Sequence, residues 1–171
     1  MQTLLPPTKG DYPAYFERYL QLNPQKAYPL LIDEQIQKIK GLFETKPSSW
    51  AETPYQTGKW SPKEVLGHVI DTERIMTFRA LCFARGERNA LPGFDQDPYV
   101  LNARFGAIAS ELLLEDFESQ RKALLTLIQT LPEDSLDISG TANGAKITPR
   151  ALFWIIPGHF IHHLTILNQR Y

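Results

Sequence analysis

Apolar residues recur three and four positions apart along most of the chain, and alternating strand-like runs are nearly absent. This pattern predicts four long helices, over about 29–46, 61–85, 110–131 and from 148 onward, with a shorter helix near 11–20. The second long helix has the clearest start signal. Ser61 is a good N-cap, Pro62 suits the first helical position, and Glu64 completes a capping box.

Two stretches between these helices have a different character. The connection over 87–107 is too long for an idle turn in a compact domain, and loops of that length often cover a site. The stretch 136–147 predicts a short hairpin, with Asn143-Gly144 as its two-residue turn. Four helices with one long crossover predict an all-α, four-helix bundle, and the length fits one domain over 1–171.

Composition removes several classes of function. The chain has 18 basic and 19 acidic residues and a net charge of -1, so it has no electrostatic footprint for nucleic acid or an anionic membrane. No apolar run approaches the roughly 20 residues that cross a bilayer, and the amino terminus lacks a secretory signal. Cys82 is the only cysteine, which excludes an internal disulfide and a cysteine-based metal site. We therefore expect a cytoplasmic protein without nucleic-acid or membrane partners.

The histidines carry the candidate chemistry. His159 and His163 are four residues apart on the last helix, so their side chains lie on one face, and that face points to the core. His68 shares the core-facing stripe of the second helix. A single buried histidine is more often hydrogen-bonded to a backbone or carboxylate oxygen. Each unpaired buried ring would cost about 1–3 kcal/mol, whereas one metal ion satisfies three rings, so we predict a metal site at His68, His159 and His163.

Two further residues near these ligands each have alternative roles. His162 lies to one side of the stripe and is a weaker ligand candidate. Asp71 could orient the ring of His68, but it could equally pair with Arg74 or Lys63. Three nitrogen ligands leave one coordination position for water or substrate, which is typical of catalytic zinc sites. Imidazole does not choose sharply between zinc, nickel, copper and iron.

The stretch 58–74, which includes Trp60-Ser61-Pro62 and His68, resembles the DinB-like superfamily when taken together with the run His159 to His163. The similarity continues through 79–86, 91–95 and 140–144. This resemblance implies a four-helix bundle with up-down-down-up topology, a divalent ion such as nickel or zinc, and frequent homodimers. It also implies that the ligand positions of the family correspond to His68, His159 and His163.

Within the family, the chain is similar to small proteins near the bacillithiol transferases. Some of these relatives use a low-molecular-weight thiol such as bacillithiol or mycothiol. The resemblance therefore implies a metal-dependent S-transferase that acts on a small molecule with such a thiol as cosubstrate. The alternatives are a metal-dependent hydrolase, a non-enzymatic metal- or ligand-binding module, and a bundle whose role is dimerisation. Cys82 lies among apolar residues and is more often a small core residue than a reactive thiol.

Overall fold

The four apolar-striped segments are long α-helices in the computed structural model, which describes residues 3–171. In chain order the elements are α1 (Glu17–Leu20), α2 (Tyr28–Thr45), α3 (Ser48–Glu52), α4 (Pro62–Ala84), α5 (Gln96–Ala103), α6 (Ser110–Thr130), β1 (Gly140–Ala142), β2 (Ala145–Ile147) and α7 (Pro149–Arg170). Single 3-10 turns cover Ala14–Phe16, Phe105–Ala107 and Glu133–Asp137. No helix within residues 3–171 is both long and apolar enough to cross a bilayer.

Local capping explains why α4 and α7 begin where the sequence predicts. The side-chain oxygen of Ser61 accepts a hydrogen bond from the Glu64 amide, and the Glu64 carboxylate accepts one from the Ser61 amide at 2.7 Å. Thr148 caps α7 by accepting a bond from the Ala151 amide at 3.2 Å. Both helices also have proline in their first turn, where no amide hydrogen is needed.

Helices α2 and α7 run parallel to each other. Near their starts, the Tyr28 hydroxyl donates a hydrogen bond to the Phe153 carbonyl at 2.8 Å. Two turns along α2, the Gln35 amide donates to the Pro157 carbonyl at 3.1 Å. The contacts advance along both helices in the same direction, so these two helices share one orientation.

Helix α6 runs antiparallel to α2. Arg121 donates a hydrogen bond to Gln35 at 2.7 Å, whereas Glu118, nearer the start of α6, pairs with Lys40, further along α2. Since α2 and α7 point the same way, α6 is also antiparallel to α7.

Helix α4 runs antiparallel to α7, because the start of α4 meets the end of the chain, where the Tyr171 hydroxyl donates a hydrogen bond to the Trp60 carbonyl. The order is therefore up for α2, down for α4 and α6, and up for α7, which confirms the predicted topology. The core lies between the four helices, and its largest fully buried side chains include Phe83, Phe117, Phe153, Phe160, Ile32, Ile39, Leu66 and Leu136.

The prediction that 87–107 is a loop was wrong over α5. Asp95 caps this helix by accepting a bond from the Asp97 amide at 3.2 Å, but Val100 is its one buried residue, so it has no apolar stripe to read. The predicted hairpin is confirmed, and its turn residues Asn143 and Gly144 have φ of 51° and 74°. Left-handed conformations at both positions are typical of the two-residue turns that join the strands of a β-hairpin.

Candidate metal centre

Helix α7 reaches the histidines only by passing Pro157, which has no amide hydrogen for the Phe153 carbonyl one turn earlier. The Tyr28 hydroxyl from α2 donates to that carbonyl instead, at 2.8 Å. The neighbouring Trp154 carbonyl accepts a bond from the side chain of Asn23 at 2.9 Å. Because outside donors serve these two carbonyls, α7 continues without a break into the histidine run.

Gly158 lets α1 lie directly against α7. A β-carbon at this position would run into the backbone carbonyl of Tyr19, which cannot rotate away. The close approach places the Tyr19 ring edge-on to His159, with ring centres 5.3 Å apart, and to His162, at 5.5 Å. Tyr19 thus closes one side of the histidine cluster.

His68 is held on the opposite side by α4 and its neighbours. Gly67 has no room for a β-carbon because the ring of Phe105 packs against it. The Trp60 ring lies against His68 with centres 4.9 Å apart, and the Thr72 hydroxyl lies 3.4 Å from Nδ1 of His68. These contacts leave Nε2 of His68 facing α7.

Three ring nitrogens converge between α4 and α7. Nε2 of His159 lies 3.2 Å from Nε2 of His68 and 3.0 Å from Nε2 of His163. At metal–nitrogen bonds of about 2.0–2.1 Å, tetrahedral ligands are about 3.3 Å apart and ligands at right angles about 2.9 Å apart. The two distances from His159 lie between these values, and the ligand atoms of all three histidines lie within 4.8 Å of one another, so the group could hold one metal ion.

Hydrogen bonding alone does not satisfy this arrangement. A neutral imidazole nitrogen carries either one hydrogen or one lone pair in the ring plane. Nε2 of His159 faces two other ring nitrogens, so it can form a well-aligned hydrogen bond with one of them and not with the second. His159 is 6 % exposed and His68 is 3 % exposed, so water cannot easily compensate. A single cation would serve all three nitrogens.

The electrostatics of the cluster keep its rings neutral. Burial, followed by the proximity of other histidines, lowers the pKa of His68 to about 4 and that of His163 to about 3. The same two causes place the pKa of His159 well below its usual range. The rings are therefore neutral near pH 7, and the neutral imidazole is the form that binds metals.

The two further candidates from the sequence, His162 and Asp71, lie outside this group. His162 is half-buried beside Tyr19, and its ring is not one of the three that converge. The Asp71 carboxylate lies 3.8 Å from Arg74 and so has the alternative role that the sequence leaves open, as the partner of that arginine. Thr72 is the residue near His68 instead, and its position one turn after the histidine was the available signal.

A buried polar network lies behind the cluster and joins all four main helices. Glu73 of α4 lies 2.7 Å from Arg121 of α6, which donates a hydrogen bond to Gln35 of α2. Gln35 in turn donates to the Pro157 carbonyl of α7. The network therefore links both ligand-bearing helices, α4 and α7, to α6 and α2.

A pocket of about 310 Å³ opens beside His163. Trp60 lies just before α4, and sequence reasoning missed Tyr55 and Tyr171 as its neighbours because Tyr55 is outside the predicted helices and Tyr171 is 111 positions away from Trp60. Asp97 of α5 also reaches the pocket, so part of the 87–107 connection does lie at the site. The pocket is lined by Tyr55, Gly58, Lys59, Trp60, Val65, Asp97, His163, Ile166 and Tyr171.

Comparisons with known proteins agree with this fold. The model of the DinB superfamily matches residues 31–167. YfiT from Bacillus subtilis, described as a probable metal-dependent hydrolase with an unusual four-helix bundle topology, superposes with a TM-score of 0.71. The two chains are 19% identical, and the match covers 97% of this chain and 93% of that one. At this identity the likeness shows a shared fold. No curated protein matches the chain.

Proposed function

This chain belongs to the DinB superfamily, and we propose that it is a metal-dependent enzyme acting on a small molecule. In this proposal His68, His159 and His163 bind one divalent ion, zinc or nickel. The observation that carries the proposal is the convergence of their three Nε2 atoms, with neighbouring distances of 3.2 and 3.0 Å. The description of YfiT as a probable metal-dependent hydrolase supports it.

Such an ion, when bound, lowers the pKa of a water molecule or a thiol at its open position and so supplies a nucleophile near neutral pH. The chain's own residues prepare that position. The Thr72 hydroxyl can accept the Nδ1 hydrogen of His68, which leaves the Nε2 lone pair free to bind. Tyr19 closes one side of the cluster, and the pocket beside His163 gives access to the other.

We propose S-transfer from a small thiol of the bacillithiol type as the reaction. Water activation by enzymes commonly uses a general base close to the nucleophile. Among the described pocket residues Asp97 is the one acidic side chain, and it is exposed. A thiol held at the three histidines would release its proton to solvent and would need no such base. Its sulfur would then form a bond to the electrophilic carbon of the second substrate, while the bond from that carbon to the leaving group breaks and the leaving group keeps the electron pair.

Hydrolysis is the second candidate, because the structural relative YfiT is described as a probable hydrolase. The placement near bacillithiol transferases, a homodimeric state and a cytoplasmic location stay predictions from the sequence.

The test compares two reactions on zinc-loaded and nickel-loaded protein: conjugation of bacillithiol to monobromobimane and cleavage of 4-nitrophenyl acetate. S-transfer predicts metal-dependent conjugation that His159→Ala abolishes and His162→Gln retains. Ester cleavage without conjugation would refute S-transfer and favour hydrolysis. Full metal occupancy with neither reaction would favour a binding module.

A further inference from the structure

The pocket beside His163 has a composition that indicates its ligand. We infer that it takes a small planar aromatic molecule carrying one anionic group, an inference that rests on the proposed metal-dependent function. The reasons are the nature of the pocket walls, the available volume and the charge left at the cluster.

Aromatic rings form the walls, and they brace one another. The Tyr171 hydroxyl donates to the Trp60 carbonyl, which joins the end of the chain to the start of α4. Tyr55 meets the Tyr171 ring edge-on, with centres 4.9 Å apart. Trp60 itself lies against the ring of His68. Rings that are already fixed lose little conformational freedom when a ligand binds, and they favour a flat partner.

The volume is that of a small-molecule site. About 310 Å³ is at the lower end of the range of about 300–1,000 Å³ for such sites, and the pocket is open to solvent. A benzene ring with a carboxylate is small enough to enter it.

The charges favour an anion. Histidine binds metals as the neutral imidazole, so three histidine ligands would leave the charge of a divalent ion uncompensated. Lys59 and Asp97 line the pocket with opposite charges that offset each other. Glu73, the buried carboxylate of α4, is already paired with Arg121 at 2.7 Å. The net positive charge of the loaded site is therefore that of the ion.

The test is an NMR titration of the zinc-loaded protein with benzoate, acetate and benzamidine, after the zinc content of each sample has been measured. We expect benzoate to bind about tenfold more tightly than acetate, which lacks the ring, and than benzamidine, which is a planar cation. Trp60→Leu should remove most of the preference for benzoate over acetate. Tyr55→Leu, which removes the ring that meets Tyr171, should weaken benzoate binding about threefold. Tyr99→Leu removes an exposed ring of α5 outside the pocket and should change neither value.

Two results would overturn the inference: equal affinities for benzoate and acetate at full zinc occupancy, or tighter binding of benzamidine. A protein that takes up no zinc would instead refute the proposed function. In that case the ring preference is decided by the same titrations on metal-free protein. Equal affinities there would refute it, and a preference for benzoate that Trp60→Leu removes would support it.

Discussion

The passage of α7 past Pro157 depends on a hydroxyl from another helix, so Tyr28→Phe should destabilise the protein although it keeps the ring. Tyr28 is 3 % exposed, and its hydroxyl lies 2.8 Å from the Phe153 carbonyl. Removing it leaves a buried carbonyl without that donor, at a cost of about 1–3 kcal/mol. For a chain of this size, a loss of about 2 kcal/mol lowers the midpoint of thermal unfolding by roughly 4–8 °C.

A double-mutant cycle isolates this effect. Pro157→Ala restores an amide hydrogen to the Phe153 carbonyl, so Tyr28→Phe should cost less than about 1 kcal/mol in that background. The assay is urea unfolding of metal-free protein followed by circular dichroism. Tyr12→Phe removes a hydroxyl from a half-exposed bond to Glu17 and should stay within about 0.5 kcal/mol of wild type. An equal cost of Tyr28→Phe in both backgrounds would refute the reasoning.

Two further predictions concern backbone packing and pH. Gly158→Ala forces α1 away from α7 and should cost about 1–3 kcal/mol while weakening zinc binding, whereas Gly41→Ala, which meets nothing, should be neutral or stabilising in the same urea assay. Equal effects of the two would contradict the packing argument. Because the native pKa values of His68 and His163 lie below the ordinary value of about 6.5, the unfolded chain binds protons that the native chain does not. Stability of the metal-free protein should therefore fall as pH drops from 6.5 to 4.5, by up to about 1.4 kcal/mol per pH unit for each histidine. Burial raises the pKa of Glu73 to about 7, so over this pH range the native carboxyl binds a proton that the unfolded one does not. This stabilises the native state as pH falls and offsets the contribution of one histidine. Urea titrations at pH 6.5, 5.5 and 4.5 that show constant or rising stability would contradict this.

The long helices could be predicted because their signals are local. The stripe of apolar residues and the caps at Ser61 and Thr148 are contained within each helix. Helix α5 was missed because it buries one residue and is held by tertiary contacts rather than by an apolar face.

The histidine cluster was predictable for a related reason. The spacing of His159 and His163 is local, and the core-facing stripe of α4 includes His68. The partners that complete the site are not local. Tyr171 and Trp60 are 111 positions apart, and Tyr28 and Phe153 are 125 positions apart, so no pattern within one segment could pair them.

Zinc titration of metal-free protein by calorimetry measures directly whether His68, His159 and His163 bind one ion. We expect one ion per chain for wild type and for His162→Gln, and at least about 100-fold weaker binding for His159→Ala, beyond the roughly 10–100-fold that loss of a ligand's hydrogen-bond partner costs. Binding that is lost equally in His162→Gln, or that survives unchanged in His159→Ala, would contradict this expectation.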